Sequence, residues 1–252
     1  MNIAAGQQLP LWHVRRSSRA RRLAVRVFHD GAVEVIVPER ARPREVQLFV
    51  ARHLDWIGRQ RRRVALLATD FPPDRLELQA IGESWSCHGL GAGAPAARLL
   101  REIAPTSAGG TLELVTGAAG HALRRAMLAW LSARARASFA PRLASLAVAL
   151  GCAYRGLQIR SQRTRWGSCS TRGTISLNLC LLFQRPEVLQ YLMVHELAHL
   201  RHMNHGPRFW ELVGQYEPQW REFDRELTRG WSLVPGWLLV ALRERGTRPV
   251  RE

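Results

Sequence analysis

The chain has 252 residues, 46% hydrophobic and 23% charged, which supplies a substantial core and excludes a disordered polymer. All 37 basic residues are arginine, the mark of a GC-rich genome, and the formal charge of +17 allows affinity for nucleic acid or another polyanion, although a solvated basic surface is the reading preferred. No stretch is long and apolar enough for a bilayer core of roughly 30 Å, no signal peptide opens the chain, and Cys87, Cys152, Cys169 and Cys180 form no CxxC pair; a cytoplasmic protein with reduced thiols and no membrane partner is expected.

In chain order, residues 11–14, 23–28 and 32–37 alternate apolar and polar side chains, with His29, Asp30 and Gly31 as a hairpin turn between the last two. Pro43 opens a helix whose Val46, Phe49, Val50, Leu54 and Ile57 recur at three- and four-residue spacing. It runs into the basic stretch 59–63, read as a solvated helix end whose cations favour the negative pole of the dipole. Residues 76–78, 84–87, 98–103 and 112–115 are predicted as short strands, with 89–95 as a flexible hairpin tip. Residues 121–150 form one long helix or two, with Leu123, Met127, Trp130, Leu131, Phe139, Leu143, Leu146 and Leu150 as an apolar stripe that packs under the next helix.

A strand at 157–160 leads to Arg163-Thr164-Arg165-Trp166-Gly167-Ser168-Cys169 and, after a turn, to an alternating strand at 173–179. The two halves of this segment fold back as a hairpin. Pro186 then starts a helix with Val188, Leu189, Leu192 and Met193 as its buried side. Strand, hairpin and helix follow in this order, and an edge strand so placed can take an added peptide strand.

That helix carries His195-Glu196-Leu197-Ala198-His199, an HExxH sequence. Its two imidazoles lie one turn apart on one face, and Glu196 projects beside them without having to ligate. A catalytic zinc keeps three protein ligands and an open fourth position. His202 shares the helical face but would lie about 10 Å along the axis from His195, out of reach of one ion. His205 is the third ligand expected, provided the chain leaves the helix after His202 and turns back at Asn204, a residue that tolerates the left-handed conformation, before Gly206-Pro207. The spacing of His205 equals that of metzincins, but His202 stands in place of their glycine and no methionine follows Met203, so that assignment is rejected.

Arg165-Trp166-Gly167-Ser168-Cys169, the strand Ile175-Ser176-Leu177-Asn178, the HExxH helix, and Asn204-His205 followed by Phe209-Trp210 resemble the YgjP-like family of metal-dependent hydrolases, the YgjP/WLM-type metallopeptidases. Val14-Arg15-Arg16-Ser17, the Gly31 hairpin, and the helix with Phe49-Val50 and Trp56-Ile57 are similar to the same family, so the resemblance covers nearly the whole chain. Gly206 departs from it, since serine is common there. The resemblance implies one Zn2+ per chain on His195, His199 and His205, Glu196 as acid/base, and a minimal zincin fold related to SprT-like proteases.

The fold class expected is α+β: an antiparallel β-rich N-terminal module (1–117) packed on a minimal zincin-like catalytic domain (118–242) with an HExxH active-site helix and an edge-strand hairpin, then a flexible basic tail (243–252). The function expected is hydrolysis of peptide bonds in peptides or unfolded protein by a zinc-activated water, Glu196 being the general base. Arg163 and Arg165 are either substrate contacts or strand-surface arginines that hold the hairpin. Trp166, Asn178 and Tyr216 complete the candidates for substrate binding, although packing suits Trp166 and a core position suits Tyr216. Cys169 is not expected to act as a nucleophile, because no separate base serves it. The alternatives are a metal-dependent nucleoside triphosphate hydrolase, a DNA-associated SprT-like protease, and a nucleic-acid-binding module with a structural metal.

Overall fold

The computed structural model describes residues 12–28, 31–67, 71–90, 99–115, 120–162 and 164–246. The chain divides into two compact units, Met1–Thr69 and Asp70–Glu252.

In the first unit, β1 (Trp12–Ser17), β2 (Ala24–Val27) and β3 (Val33–Pro38) precede α1 (Pro43–Leu67). Val33, Val35 and Val37 are buried while the residues between them are half-buried, because alternate side chains of a strand point to opposite faces. They meet Val50 and Ile57, with Val46, Phe49 and Leu54 packed around them, so the expected apolar face of α1 is the buried one. Each fully buried aliphatic side chain contributes roughly 1.5–3 kcal/mol. The N-terminus of α1 is capped from within: Glu45 Oε2 accepts from the Arg42 backbone N–H at 3.0 Å, the reach-back half of a capping box. The 59–63 stretch continues the helix rather than ending it.

The β2–β3 pair is antiparallel as expected, but β1 lies on the other side of β3 and runs parallel to it, in the order β1-β3-β2. The N-terminal module is therefore mixed, not antiparallel. β2 occupies one edge of β3 and β1 the other, and residues 18–23 carry the chain from β1 across to β2.

The second unit opens with β4 (Arg75–Leu78), β5 (Glu83–Leu90), β6 (Leu100–Thr106) and β7 (Gly109–Val115), in the order β4-β5-β7-β6. β5 pairs with β7 in parallel, so no hairpin joins β5 to β6; residues 91–98, most of the expected hairpin tip, lie outside the described residues. Gly109 has φ +119°, and a β-carbon there would lie 1.8 Å from the Ser84 carbonyl oxygen, so only glycine lets β7 begin against β5.

α2 (Gly120–Ala149) is one helix through Pro141. It covers the four-stranded sheet: Trp85 meets Trp130 edge to face at 5.2 Å between centroids. Both indoles are also tied by their N–H groups, Trp85 to Glu83 at 2.8 Å and Trp130 to Glu102 at 2.6 Å. Arg134 of α2 pairs with Glu83 and lies over the Trp85 ring at 5.1 Å, a cation held against an aromatic face in a half-buried setting.

The third sheet contains β8 (Gly156–Arg160), β9 (Gly167–Cys169) and β10 (Thr174–Asn178) in the order β8-β10-β9. The expected hairpin is present, with Ile175 opposite Cys169 and Leu177 opposite Gly167, and β8 runs parallel to β10. A short 3-10 segment, Leu179–Phe183, delivers the chain to α3 (Pro186–Ala198), followed by α4 (Pro207–Tyr216), α5 (Trp220–Arg229) and α6 (Gly236–Gly246). α3 is buried on nearly every side, Tyr191, Val194, Leu197 and Ala198 joining the expected Val188, Leu189, Leu192 and Met193, and it packs on α2 as anticipated. Residues 243–246 of the expected tail belong to α6, and 247–252 lie outside the described residues. The described residues thus form an α+β fold of three small mixed sheets and six α-helices. No described helix is long and apolar enough to cross a membrane.

Candidate metal centre

α3 places His195 and His199 one turn apart, and the segment after it returns His205 to them. One nitrogen from each of the three rings lies within 4.8 Å of the others. His205 Nε2 and His195 Nε2 are 3.1 Å apart. Two nitrogens each about 2.0–2.1 Å from one ion at a tetrahedral angle stand about 3.3 Å apart, so this pair already has the spacing of a chelate.

The return differs in detail from the one read off the sequence. α3 ends at Ala198 with His199 as its C-cap, before His202. The Leu200 N–H reaches the Leu197 carbonyl and the Arg201 N–H the Ala198 carbonyl, both at 3.0 Å, which tightens the last turn. Asn204 is not in the left-handed region, where Ala104 is the sole non-glycine among the described residues. The reversal is closed by the Gly206 N–H on the Asn204 carbonyl at 2.8 Å, and Pro207 starts α4 at its first position. His202 is outside the cluster, but its backbone carbonyl is 3.1 Å from His199 Nδ1. With the proton of His199 on Nδ1, its Nε2 lone pair is free for a metal.

Phe209 is fully buried and lies beneath the three imidazoles, with centroids at 4.9 Å from His195, 4.6 Å from His199 and 4.7 Å from His205. Trp210 faces His205 at 5.6 Å and stacks on Trp220 at 4.0 Å. This aromatic floor shields one side of the cluster, while His205 is exposed. Burial, and then the neighbouring His199 and His205, lower the His195 pKa to about 3; burial likewise lowers that of His199, against the opposing hydrogen bond to His202. Neutral imidazoles are the ligating form.

Glu196 is buried, and burial pushes its carboxyl up to about 8. Its Oε2 is enclosed and has no hydrogen-bond partner among the described residues. A carboxylate is rarely left so unless a ligand completes it. Three neutral nitrogens with this orphaned acid beside them fit a divalent metal ion with an open position. Glu196 also lies directly against β9: a β-carbon on Gly167 would stand 2.5 Å from Oε1. The carboxyl group is therefore held between the metal helix and the edge strand.

The remaining sequence candidates separate. Arg163 lies outside the described residues, and Arg165 is exposed on the segment entering β9. Trp166 is buried and stacks on Trp231 at 4.2 Å. Asn178 is buried; its amide donates to the Gln162 carbonyl at 2.7 Å and the Arg165 carbonyl at 2.8 Å, and its Oδ1 accepts from the Cys180 N–H at 3.1 Å. It ties the segment before β9 to β10. Tyr216 is turned to the end of α2, donating to the Ala149 carbonyl at 3.0 Å. Missed in the sequence were Tyr191 and Asp224, which line up behind His195. Tyr191 stands four residues before His195, a signal that helical spacing carries; Asp224 comes from α5 and has no local signal.

Over 35% of its length the chain is similar to the metallopeptidase zymogen abylysin of Pyrococcus abyssi, with 29% identity, 91% of that chain covered and a TM-score of 0.33. Jannalysin of Methanocaldococcus jannaschii, also described as a metallopeptidase zymogen, matches 35% of this chain and 92% of its own with 21% identity and a TM-score of 0.33. No curated protein matches. Residues 21–230 match the YgjP-like, metallopeptidase domain, and the chain accordingly belongs to the YgjP-like family of metallopeptidases.

Proposed function

We propose that the protein is a zinc-dependent peptidase of extended or partly unfolded polypeptides, with one Zn2+ held by His195, His199 and His205 and with Glu196 as general base. The catalytic part is carried by residues 118–242, and the site of action is the cytoplasm. The reading rests on one observation, the buried Glu196 carboxyl whose Oε2 stands unpartnered beside three clustered imidazole nitrogens. Zinc is favoured by the all-nitrogen donor set with an open position.

When bound, the ion polarises the scissile carbonyl and lowers the pKa of the attacking water towards 7, on the order of eight units below bulk water. The chain's own residues do the rest. Glu196 accepts a proton from water as its oxygen bonds to the carbonyl carbon, then delivers that proton to the amide nitrogen as the carbon–nitrogen bond breaks. Among the described residues β9 pairs with β10 alone, so its other edge presents backbone N–H and C=O groups to an extended peptide. The Gly167 backbone rests against Glu196, and in this reading a strand added to β9 runs past the acid. In this reading the exposed Arg165 contacts the bound chain, while Trp166 and Asn178 serve by holding the segment that enters β9.

The test is to incubate the zinc-loaded protein with a library of unstructured peptides and, separately, with nucleoside triphosphates, each with and without DNA. Peptide cleavage that Glu196→Gln abolishes while retaining one equivalent of zinc supports the reading. Phosphate release from nucleotides without peptide cleavage would overturn it.

A further inference from the structure

Behind His195, on the side away from the cluster, two side chains form a line. The Tyr191 hydroxyl donates to Asp224 Oδ1 at 2.9 Å and lies 3.4 Å from His195 Nδ1. Tyr191 sits one turn before His195 on α3, so the two side chains share a helical face; Asp224 approaches from α5. Tyr191 is 1% exposed and packs against Phe223, so its ring has little freedom. Asp224 is at the surface.

From this line we infer that Asp224 and Tyr191 are positioning residues for the metal centre, with Asp224 fixing the direction of the Tyr191 proton and thereby the tautomer of His195. A tyrosine hydroxyl has one proton and can also accept. With its proton given to Asp224, it can only accept from His195, which requires the imidazole proton on Nδ1. Nε2 is then the unprotonated nitrogen, and it is the one that faces His205 Nε2. Without Asp224 the hydroxyl is free to donate to Nδ1, and the imidazole proton moves to Nε2, where it blocks ligation. His199 reaches the same tautomer through the His202 carbonyl. One ligand is thus set by local backbone and the other by a side-chain relay from a separate helix. Partners of this kind change metal affinity by roughly 10–100-fold.

The inference rests on the metal-site reading above but not on peptide as the substrate, so its test reads metal binding and tautomer rather than hydrolysis. Zinc affinity, by competition with a chromophoric chelator, and the absorption spectrum of the Co2+-loaded protein are measured for the unsubstituted protein, Tyr191→Phe, Asp224→Ala, Asp224→Asn and the Tyr191→Phe/Asp224→Ala double variant. Long-range 1H–15N spectra of the metal-free proteins report the His195 tautomer.

Tyr191→Phe keeps the ring packing and Asp224→Ala alters only a surface side chain, so both should fold. Each is expected to weaken zinc binding about tenfold or more and to shift the cobalt spectrum. Asp224→Asn, whose Oδ1 can still accept from the tyrosine, restores most of the affinity. The double variant is no weaker than the worse single one, as members of one relay are not additive. The Nδ1–H tautomer of His195 is expected in the unsubstituted protein and lost in Asp224→Ala. Unchanged affinity and spectra in both single variants, additive losses, or an unchanged tautomer in Asp224→Ala would each overturn the relay. If the unsubstituted protein took up no zinc, the metal site itself would fail, and the tautomer spectra would still decide whether Asp224 orients His195.

Discussion

Gly167 and Glu196 occupy each other's space: a β-carbon on the glycine would lie 2.5 Å from Oε1 and 2.9 Å from the carboxyl carbon. The edge strand therefore needs glycine at this position to let its backbone rest on the acid. Gly167→Ala must displace the carboxyl group, the flexible partner. Since a displacement of about 1 Å at a reacting group can cost roughly 100-fold, peptide hydrolysis should fall by at least tenfold while zinc content stays at one equivalent. Steady-state kinetics alongside metal analysis check this; a fully active Gly167→Ala would place the acid elsewhere in the working enzyme.

The role proposed for His205 is separable from that of its neighbour in sequence, His202. His205→Ala should reduce bound zinc well below one equivalent. His202→Ala should leave it unchanged, because His202 contributes its backbone carbonyl, not its ring, to the orientation of His199. Metal analysis after exhaustive dialysis distinguishes the two.

Stability of the metal-free protein should depend on pH through two opposing groups. Glu196, raised by burial from 4.5 to about 8, makes the folded state bind more protons than the unfolded one between those values, so stability falls as pH rises through that window. His195, lowered from 6.5 to about 3 by burial and its histidine neighbours, makes the unfolded state bind more, so stability falls as pH drops from 6.5 towards 3. The two oppose each other between about 4.5 and 6.5, where His199, also lowered by burial, adds to His195 and Glu217, also raised by burial, adds to Glu196. Urea midpoints in the presence of chelator should be highest there and decline on both sides. In Glu196→Gln the decline above 6.5 should shrink and the rise towards 6.5 should steepen.

Asn178 carries three hydrogen bonds to three backbone groups while 1% exposed. Asn178→Ala leaves the Gln162 and Arg165 carbonyls and the Cys180 N–H without this partner, and unmade bonds of buried groups cost about 1–3 kcal/mol each before relaxation or water intervenes. A loss of about 2–4 kcal/mol by urea unfolding is expected, with lower peptidase activity in the surviving folded protein as the segment leading to β9 loosens.

Local spacing was enough for α1, α2 and α3, the β2–β3 and β9–β10 hairpins and the His195–His199 pair, whereas α4, α5 and α6 were not read from the sequence. A helix places residues four apart on one face whatever surrounds it, so His195 and His199 were legible as a pair, and the period of Val46, Val50 and Ile57 gave the buried face of α1. His205 was legible because it follows closely and a proline bars the helix from continuing. Strand partners across longer separations were not: alternation says which face of a strand is buried but nothing of its neighbour. Hence the parallel pairings of β1 with β3 and of β5 with β7, and the covering of the four-stranded sheet by α2 through Trp85 and Trp130, came from tertiary packing. The site divides along the same line. The identity of its three clustered histidines is written locally. The burial that leaves Glu196 Oε2 unpartnered, its contact with Gly167 and the reach of Asp224 to Tyr191 exist only once β9, α3 and α5 have packed together, because each joins groups that no periodicity of a single element relates.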